Sequence, residues 1–231
     1  MTEDRELNEI VRSLHNTALF ANCEEMELIS LARICRHRHL PKGSVVFFQS
    51  DPGEAFYLVL SGSVVIMLNS QDGRELVINE ARSGDTFGEL SLITGEPRSA
   101  SAITREKCEL VMIPAQAFQK VLNSQPKMVR YLLDNIARQL SASGERESAL
   151  AFLDAPGRIV RILLLLDQEN AEKGFMTLSQ EELAQRTGLT RQTVAKILGH
   201  WRRSGWLLTG RGRIMLMNRK ALEQVAEQSS L

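Results

Sequence analysis

The region between Pro41 and Pro114 constrains the fold more than any other part of the chain. Short β-branched and aromatic runs, "VVFF", "FYLVL", "SVVIML", "ELVI" and "ELVMI", alternate there with the turn signals "PKG", "SDPGE", "SG", "NSQDG" and "RSGD". Runs of this length and composition suit strands, and the Gly, Pro, Asn and Asp clusters between them break the pairing direction. Strands this short need one another's edges, so an antiparallel barrel or jelly roll is expected. The flanking sequence reads as helical, which makes the fold class α+β.

Upstream, "NCEEMELISLARIC" offers Asn22 as a helix cap with acids in the first turn. Met26, Ile29, Leu31, Ile34 and Cys35 then recur at roughly helical spacing. Downstream, the helical pattern resumes at Pro114, and Pro126 fits the first turn of a long helix running towards Phe152. Val129, Leu133, Ile136, Leu140, Ser143, Glu147 and Leu150 alternate spacings of 4 and 3, a heptad seam. Such a seam can dock on the chain's own barrel or pair with a second copy. The strict period and the length point to a parallel homodimer through Val129 to Leu150. The seam turns polar at Ser143, Gly144 and Glu147, which weakens pairing there and leaves room for another agent to compensate. "LDAPG", Leu153 to Gly157, punctuates the chain as a hinge, and Arg158 to Leu166 forms a further apolar helix. The expected organisation is a barrel domain over 1–125, a dimerisation helix and hinge over 126–153, and a third region over 154–231.

No uninterrupted run of 18 apolar residues exists in the sequence, so no membrane helix is expected. The acidic N-terminus, MTEDRELNEI, has no apolar core of a secretory signal, and the expected location is the cytoplasm. Cys23, Cys35 and Cys108 are too few and too widely spaced for a disulfide framework or a zinc or iron–sulfur site. His15, His37, His39 and His200 form no evident ligand set; "RHRHL" reads as an exposed basic edge and His200 beside Trp201 as a packing residue. No metal or covalent cofactor is expected. With no nucleophile–base pair visible, neither is an enzyme.

The net charge is zero, but it is unevenly spread. Residues 1–153 hold 16 Lys/Arg against 20 Asp/Glu, whereas 154–231 hold 12 against 8. From Leu183 to Leu222 there are nine basic residues and no acid, an electrostatic footprint for a polyanion. Within that block, "TLSQEELAQRTGLTRQTVAKILGHWRRSGWL" has the form of a helix-turn-helix. Ser179 and Glu182 make a capping box, Gly188 supplies the turn, and Thr190 caps the second helix. Val194, Ile197 and Leu198 then face inward, leaving Arg191, Gln192 and Lys196 on the opposite side, where a recognition helix meets base edges. "LLTGRGRIMLM" reads as a wing hairpin offering Arg211 and Arg213 to phosphates. Ser179, Thr190, Arg191, Gln192, Lys196, Arg211 and Arg213 are the candidate DNA-facing set. Double-stranded DNA with an inverted repeat is the expected partner of a two-fold dimer.

The stretch "FGELSLITGEPRSASA", Phe87 to Ala102, lies between two strand runs. Arg98 can neutralise a phosphate with two parallel hydrogen bonds, and Ser99 adds a donor. Backbone N–H groups at Gly88–Leu90, opening a helical turn, favour an anion. Glu89, acceptor-only when ionised, suits a sugar hydroxyl. A ribose phosphate satisfies all of these groups. A plain Glu89–Arg98 salt bridge would also account for the two charges.

This stretch resembles the phosphate-binding cassette of cyclic-nucleotide-binding domains, and the order barrel, long helix, winged helix-turn-helix resembles the CRP/FNR family of bacterial transcription regulators. By that resemblance Gly88, Glu89 and Leu90 hold the ribose, Arg98 and Ser99 the cyclic phosphate, and Ser143 faces the base. A second hydroxyl implied at the next position is Gly144 here, so the nucleotide stays open: cyclic AMP, or another nucleotide such as cyclic di-GMP, or no required ligand. The implied function is a DNA-binding transcription regulator controlled allosterically by a cyclic nucleotide held between barrel and dimer helix. RNA polymerase is a further candidate partner. A cyclic-nucleotide-binding subunit that regulates a partner enzyme is the alternative of another class, and the acid-free helix-turn-helix argues against it. The family's iron–sulfur sensors need clustered N-terminal cysteines, which this chain lacks.

Overall fold

The computed structural model describes residues 2–229 other than 18, 21, 22, 71, 72, 125, 173 and 211. Asn22 and Arg211, and part of the "NSQDG" turn, therefore lie outside the described residues. The chain forms two compact units, Met1–Asn69 with Ile78–Leu140, and Ser70–Val77 with Ser141–Leu231.

The first unit opens with α1 (Thr2–His15) and α2 (Glu25–Ala32). α1 has no counterpart in the sequence reading, although Leu7, Ile10, Val11 and Leu14 make one apolar stripe at helical spacing. Ile10 and Leu14 are buried. The cap of α2 is Glu24, whose N–H donates to the Glu27 carboxylate at 3.1 Å. Eight strands follow: β1 (Arg36–Leu40), β2 (Val45–Phe47), β3 (Ala55–Ser61), β4 (Ser63–Asn69), β5 (Glu75–Arg82), β6 (Thr86–Phe87), β7 (Ser101–Thr104) and β8 (Cys108–Pro114). They form two four-stranded antiparallel sheets, ordered β1-β8-β3-β6 and β2-β7-β4-β5, as the jelly-roll expectation requires.

The period of two along a strand explains how the first sheet is covered on both sides. Phe56 and Leu58 of β3, with Val111 and Ile113 of β8, join a core made with Leu14, Leu28 and Phe118. Tyr57 and Val59, with Cys108 and Leu110, point the other way into a second core inside the barrel. Both strands are therefore apolar at nearly every position, which is why they stand out as continuous runs. β1, β6 and β7 do not stand out: their residues are basic, few or small, and pairing with β8, β3 and β4 defines them.

Two helices close this unit, α4 (Ala115–Ser124) and α5 (Pro126–Phe152), after the short α3 (Leu90–Thr94) within the barrel. α5 carries two apolar faces. Met128 and Leu132 are buried in the helix-side core. Val129, Leu133, Leu140 and Leu150 of the heptad seam are 40%, 59%, 72% and 40% exposed, and Ile136 is half-buried.

The second unit takes in the end of α5 from Ser141 and everything after it, besides Ser70–Val77. Asp154 caps α6 (Ala155–Glu169) by accepting from the Gly157 N–H at 2.8 Å. Then come β9 (Met176–Thr177), α7 (Gln180–Thr187), α8 (Arg191–Arg203), β10 (Leu207–Gly210), β11 (Arg213–Leu216) and α9 (Arg219–Gln228). Ile159, Leu163, Leu183, Val194, Leu198, Trp201 and Leu222 share one core. The three strands form a small antiparallel sheet ordered β10-β11-β9, so the wing has one strand more than its hairpin reading implied.

Candidate nucleotide and nucleic-acid sites

The turn from β6 into α3 places Gly88 at φ +87°, a conformation open to few residues other than glycine. A Cβ here would stand 2.9 Å from Arg98 Nη1. Both the backbone angle and the approach of the guanidinium therefore require a residue without a side chain. Arg98 is 5% exposed. Its Nη1 donates to the Gly88 carbonyl and to Ser91 Oγ, each at 2.7 Å, and Nη2 donates to the Ala55 carbonyl. The guanidinium carbon lies 4.2 Å from the centre of the Phe47 ring, a cation–π contact. Its Nε is buried and has no hydrogen-bond partner.

Glu89 is 3% exposed and accepts from Gln139 Nε2 at 3.2 Å. No ion pair joins Glu89 to Arg98 among the described residues, so the plain salt-bridge reading does not describe this pair. Burial pushes the Glu89 carboxyl upward in pKa, against the opposing pull of its own backbone hydrogen bond, Gln139 and Arg98. Burial likewise lowers the Arg98 pKa, opposed by Tyr57 and Glu89. Carbonyl oxygens hold the guanidinium in place but supply no countercharge. A cation held this way in a low-dielectric setting attracts an anion strongly. The orphaned Nε offers that anion a further donor, so the residues present fit a phosphate.

The remaining expected ligand residues are less constrained. Leu90 starts α3 and is 40% exposed, and Ser99 is exposed beside Arg98. Ser143 lies on α5, half-buried, with its hydroxyl 3.3 Å from Glu147 Oε1. Phe47, Ala55, Ser91 and Gln139 are the contributors that sequence reasoning missed. Three act through a backbone carbonyl, a ring face or a short hydroxyl contact, and Gln139 is one polar residue among many on a half-exposed helix.

In the second unit, Ser179 Oγ accepts from the Glu182 N–H at 3.1 Å, and Glu182 accepts from the Ser179 N–H at 2.7 Å, closing the capping box of α7. Gly188 ends that helix at φ +64°. Thr190 caps α8 by accepting from the Thr193 N–H at 3.2 Å. Val194 and Leu198 are buried and Ile197 half-buried, whereas Arg191, Gln192 and Lys196 are exposed. One face of α8 is thus fixed in the core while the opposite face presents a fork, an amide and an ammonium within its first two turns. Arg213 is exposed on the wing, its guanidinium carbon 4.5 Å from the Phe175 ring centre.

A β jelly roll that buries a guanidinium with no ion pair among the described residues, followed in the chain by a winged helix-turn-helix, defines the class of effector-responsive DNA-binding regulators. Residues 37–125 match the cyclic nucleotide-binding domain family, and residues 157–225 match the Crp-like helix-turn-helix domain. The CRP-like cAMP-activated global transcriptional regulator of Mycobacterium tuberculosis is 32% identical over 200 residues, 84% of this chain and 89% of its own. The cAMP-activated global transcriptional regulator CRP of Salmonella typhimurium is 29% identical over 170 residues, 71% of this chain and 81% of its own. Among solved structures, the c-di-GMP responsive global regulator CLP of Xanthomonas campestris superposes with a TM-score of 0.74 at 29% identity, covering 84% of this chain and 99% of that one. The chain belongs to the CRP/FNR family of transcription regulators. Among its described residues no helix is long and apolar enough to cross a membrane.

Proposed function

We propose that this regulator binds DNA as a homodimer under the control of a cyclic nucleotide, cyclic AMP in the first instance. The observation that carries the reading is the buried Arg98, fixed by neutral acceptors, with an orphaned Nε and Gly88 making room beside it. In this reading Arg98 and Ser99 hold the cyclic phosphate. Glu89, with Gly88 and Leu90, holds the ribose, and Ser143 is the hydroxyl that faces the base. Residues 1–125 sense the ligand, 126–153 pair the two copies and 154–231 read DNA. The exposed seam residues Val129, Leu133, Leu140 and Leu150 suit that pairing. Arg191, Gln192 and Lys196 read an inverted repeat, while Arg211, Arg213, Ser179 and Thr190 contact its backbone. The output is promoter occupancy in the cytoplasm, with RNA polymerase the next partner, and not catalysis.

Cyclic AMP is favoured because the cited relatives from Mycobacterium tuberculosis and Salmonella typhimurium are named for it. A second reading, control by cyclic di-GMP, is favoured by the solved regulator of the same architecture that responds to it. Titration calorimetry with cyclic AMP, cyclic GMP and cyclic di-GMP separates them. One saturable site per chain for cyclic AMP, abolished by Arg98→Leu, is expected. Saturation by cyclic di-GMP alone selects the second reading. No heat with any of the three at millimolar concentration refutes nucleotide control.

A further inference from the structure

The "RHRHL" segment forms the basic edge that its sequence suggests, with Arg36 and His39 exposed, but His37 within it turns inward. The segment is β1, the edge strand of its sheet, and its register with β8 sets His37 opposite Val111 and His39 opposite Glu109. With a period of two along each strand, His37, His39 and Glu109 share the face of Val111 and Ile113. That face is the one covered by the helix-side core. The His37 side chain is consequently only 9% exposed, and its buried Nε2 has no hydrogen-bond partner. Towards the rim, the His39 side chain is 60% exposed and that of Glu109 37%.

We propose that His37, His39 and Glu109 form a binding site for a divalent transition-metal ion of the zinc type. One ligand atom from each of His37, His39 and Glu109 lies within 4.8 Å of those of the other two. Glu109 is 3.9 Å from His37 Nε2 through one oxygen and 3.5 Å from His39 Nδ1 through the other. Tetrahedral zinc with bonds near 2.1 Å needs ligand atoms about 3.4 Å apart. Small side-chain rotations on a rigid two-strand frame close that difference. Two imidazoles and one carboxylate suit zinc, copper or nickel and not magnesium or calcium, which favour all-oxygen shells. The buried His37 Nε2 gains in the metal the partner it otherwise lacks, while the exposed His39 gives the ion an entry path. One bound ion would also staple the edge strand β1 to β8. The neighbouring Cys108 is a poor competitor, since it is fully buried and its thiol donates to the Ser63 carbonyl at 3.1 Å.

The test uses the full chain stripped with a chelator and titrated calorimetrically with zinc, alongside His39→Ala, an exposed position whose change leaves the fold intact. One site per chain is expected, weakened at least about tenfold by His39→Ala and by Glu109→Gln, and unchanged by Cys23→Ser. Cobalt should give the intense visible bands of a four-coordinate ion without a thiolate charge-transfer band, and zinc should raise the Tm of wild type but not of His39→Ala. Absence of zinc binding at 100-fold excess over protein, binding indifferent to His39→Ala, or a thiolate band would each overturn the proposal.

Discussion

Gly88→Ala probes the geometry on which the proposed nucleotide binding depends. At φ +87° an alanine is strained by about 1–3 kcal/mol. Its methyl group would also stand 2.9 Å from Arg98 Nη1, inside any normal contact, and 3.5 Å from both the Ala55 carbonyl and Tyr57 Cδ2. The guanidinium has to retreat, since the other neighbours are backbone and a packed ring. Retreat breaks the 2.7 Å bond to the Gly88 carbonyl and displaces the guanidinium. A displaced guanidinium that loses one charge-assisted hydrogen bond to the phosphate loses about 1.5–3 kcal/mol of binding, or roughly a 10- to 150-fold loss of nucleotide affinity. The assay pairs calorimetry with cyclic AMP and urea denaturation on the same preparation. Stability should fall by about 1–3 kcal/mol while affinity falls by at least about tenfold. A variant that loses stability but keeps wild-type affinity would show that the placement of Arg98 does not govern ligand binding.

Three other substitutions address separate links. Glu89→Gln should weaken nucleotide binding while stabilising the ligand-free protein at neutral pH. The folded carboxyl pKa is raised by burial, so the wild type loses stability as pH rises from the unfolded value near 4.3 through the folded one. The Tm advantage of the glutamine variant should therefore appear across that rise and vanish in acid; a constant advantage at every pH would argue against the desolvation account. Leu133→Glu, at a 59% exposed seam position, should leave a folded chain that sediments as a monomer, whereas an intact dimer would move the interface elsewhere. Arg191→Ala should cost about 1–3 kcal/mol of operator affinity and flatten one guanine column in binding-site selection. Unchanged selectivity would place Arg191 on phosphate or on nothing.

Local signals written into single residues were the most legible. The capping box of Ser179 and Glu182, the turn at Gly188 and the cap at Thr190 each depend on neighbours within a few positions, and all three form as expected. Of the five apolar runs of the barrel, those of β3 and β8 stood out most because both faces of these strands are buried. β7 was not visible, since a partner distant in sequence defines such a short strand. The heptad seam of α5 overshadowed its second apolar face at Met128 and Leu132, because the buried face and the exposed seam alternate at adjacent positions. Within the candidate site, Glu89 and Arg98 could be picked out by residue type. Their separate partners could not, because the Ala55 and Gly88 carbonyls carry no sequence mark and Phe47 and Gln139 come from remote elements. His37 shows the same limit: only the register with β8 turns it inward.

The central claim is a coupling between nucleotide and DNA, and fluorescence anisotropy with a labelled inverted-repeat duplex at fixed salt measures it directly. Titrations with and without saturating cyclic AMP, and with cyclic di-GMP, give the coupling as a ratio of dissociation constants. A cyclic nucleotide should tighten DNA binding by about 5- to 150-fold, the range of a 1–3 kcal/mol coupling, and Arg98→Leu should abolish the difference. Equal DNA affinity in the presence and absence of every nucleotide would contradict the account.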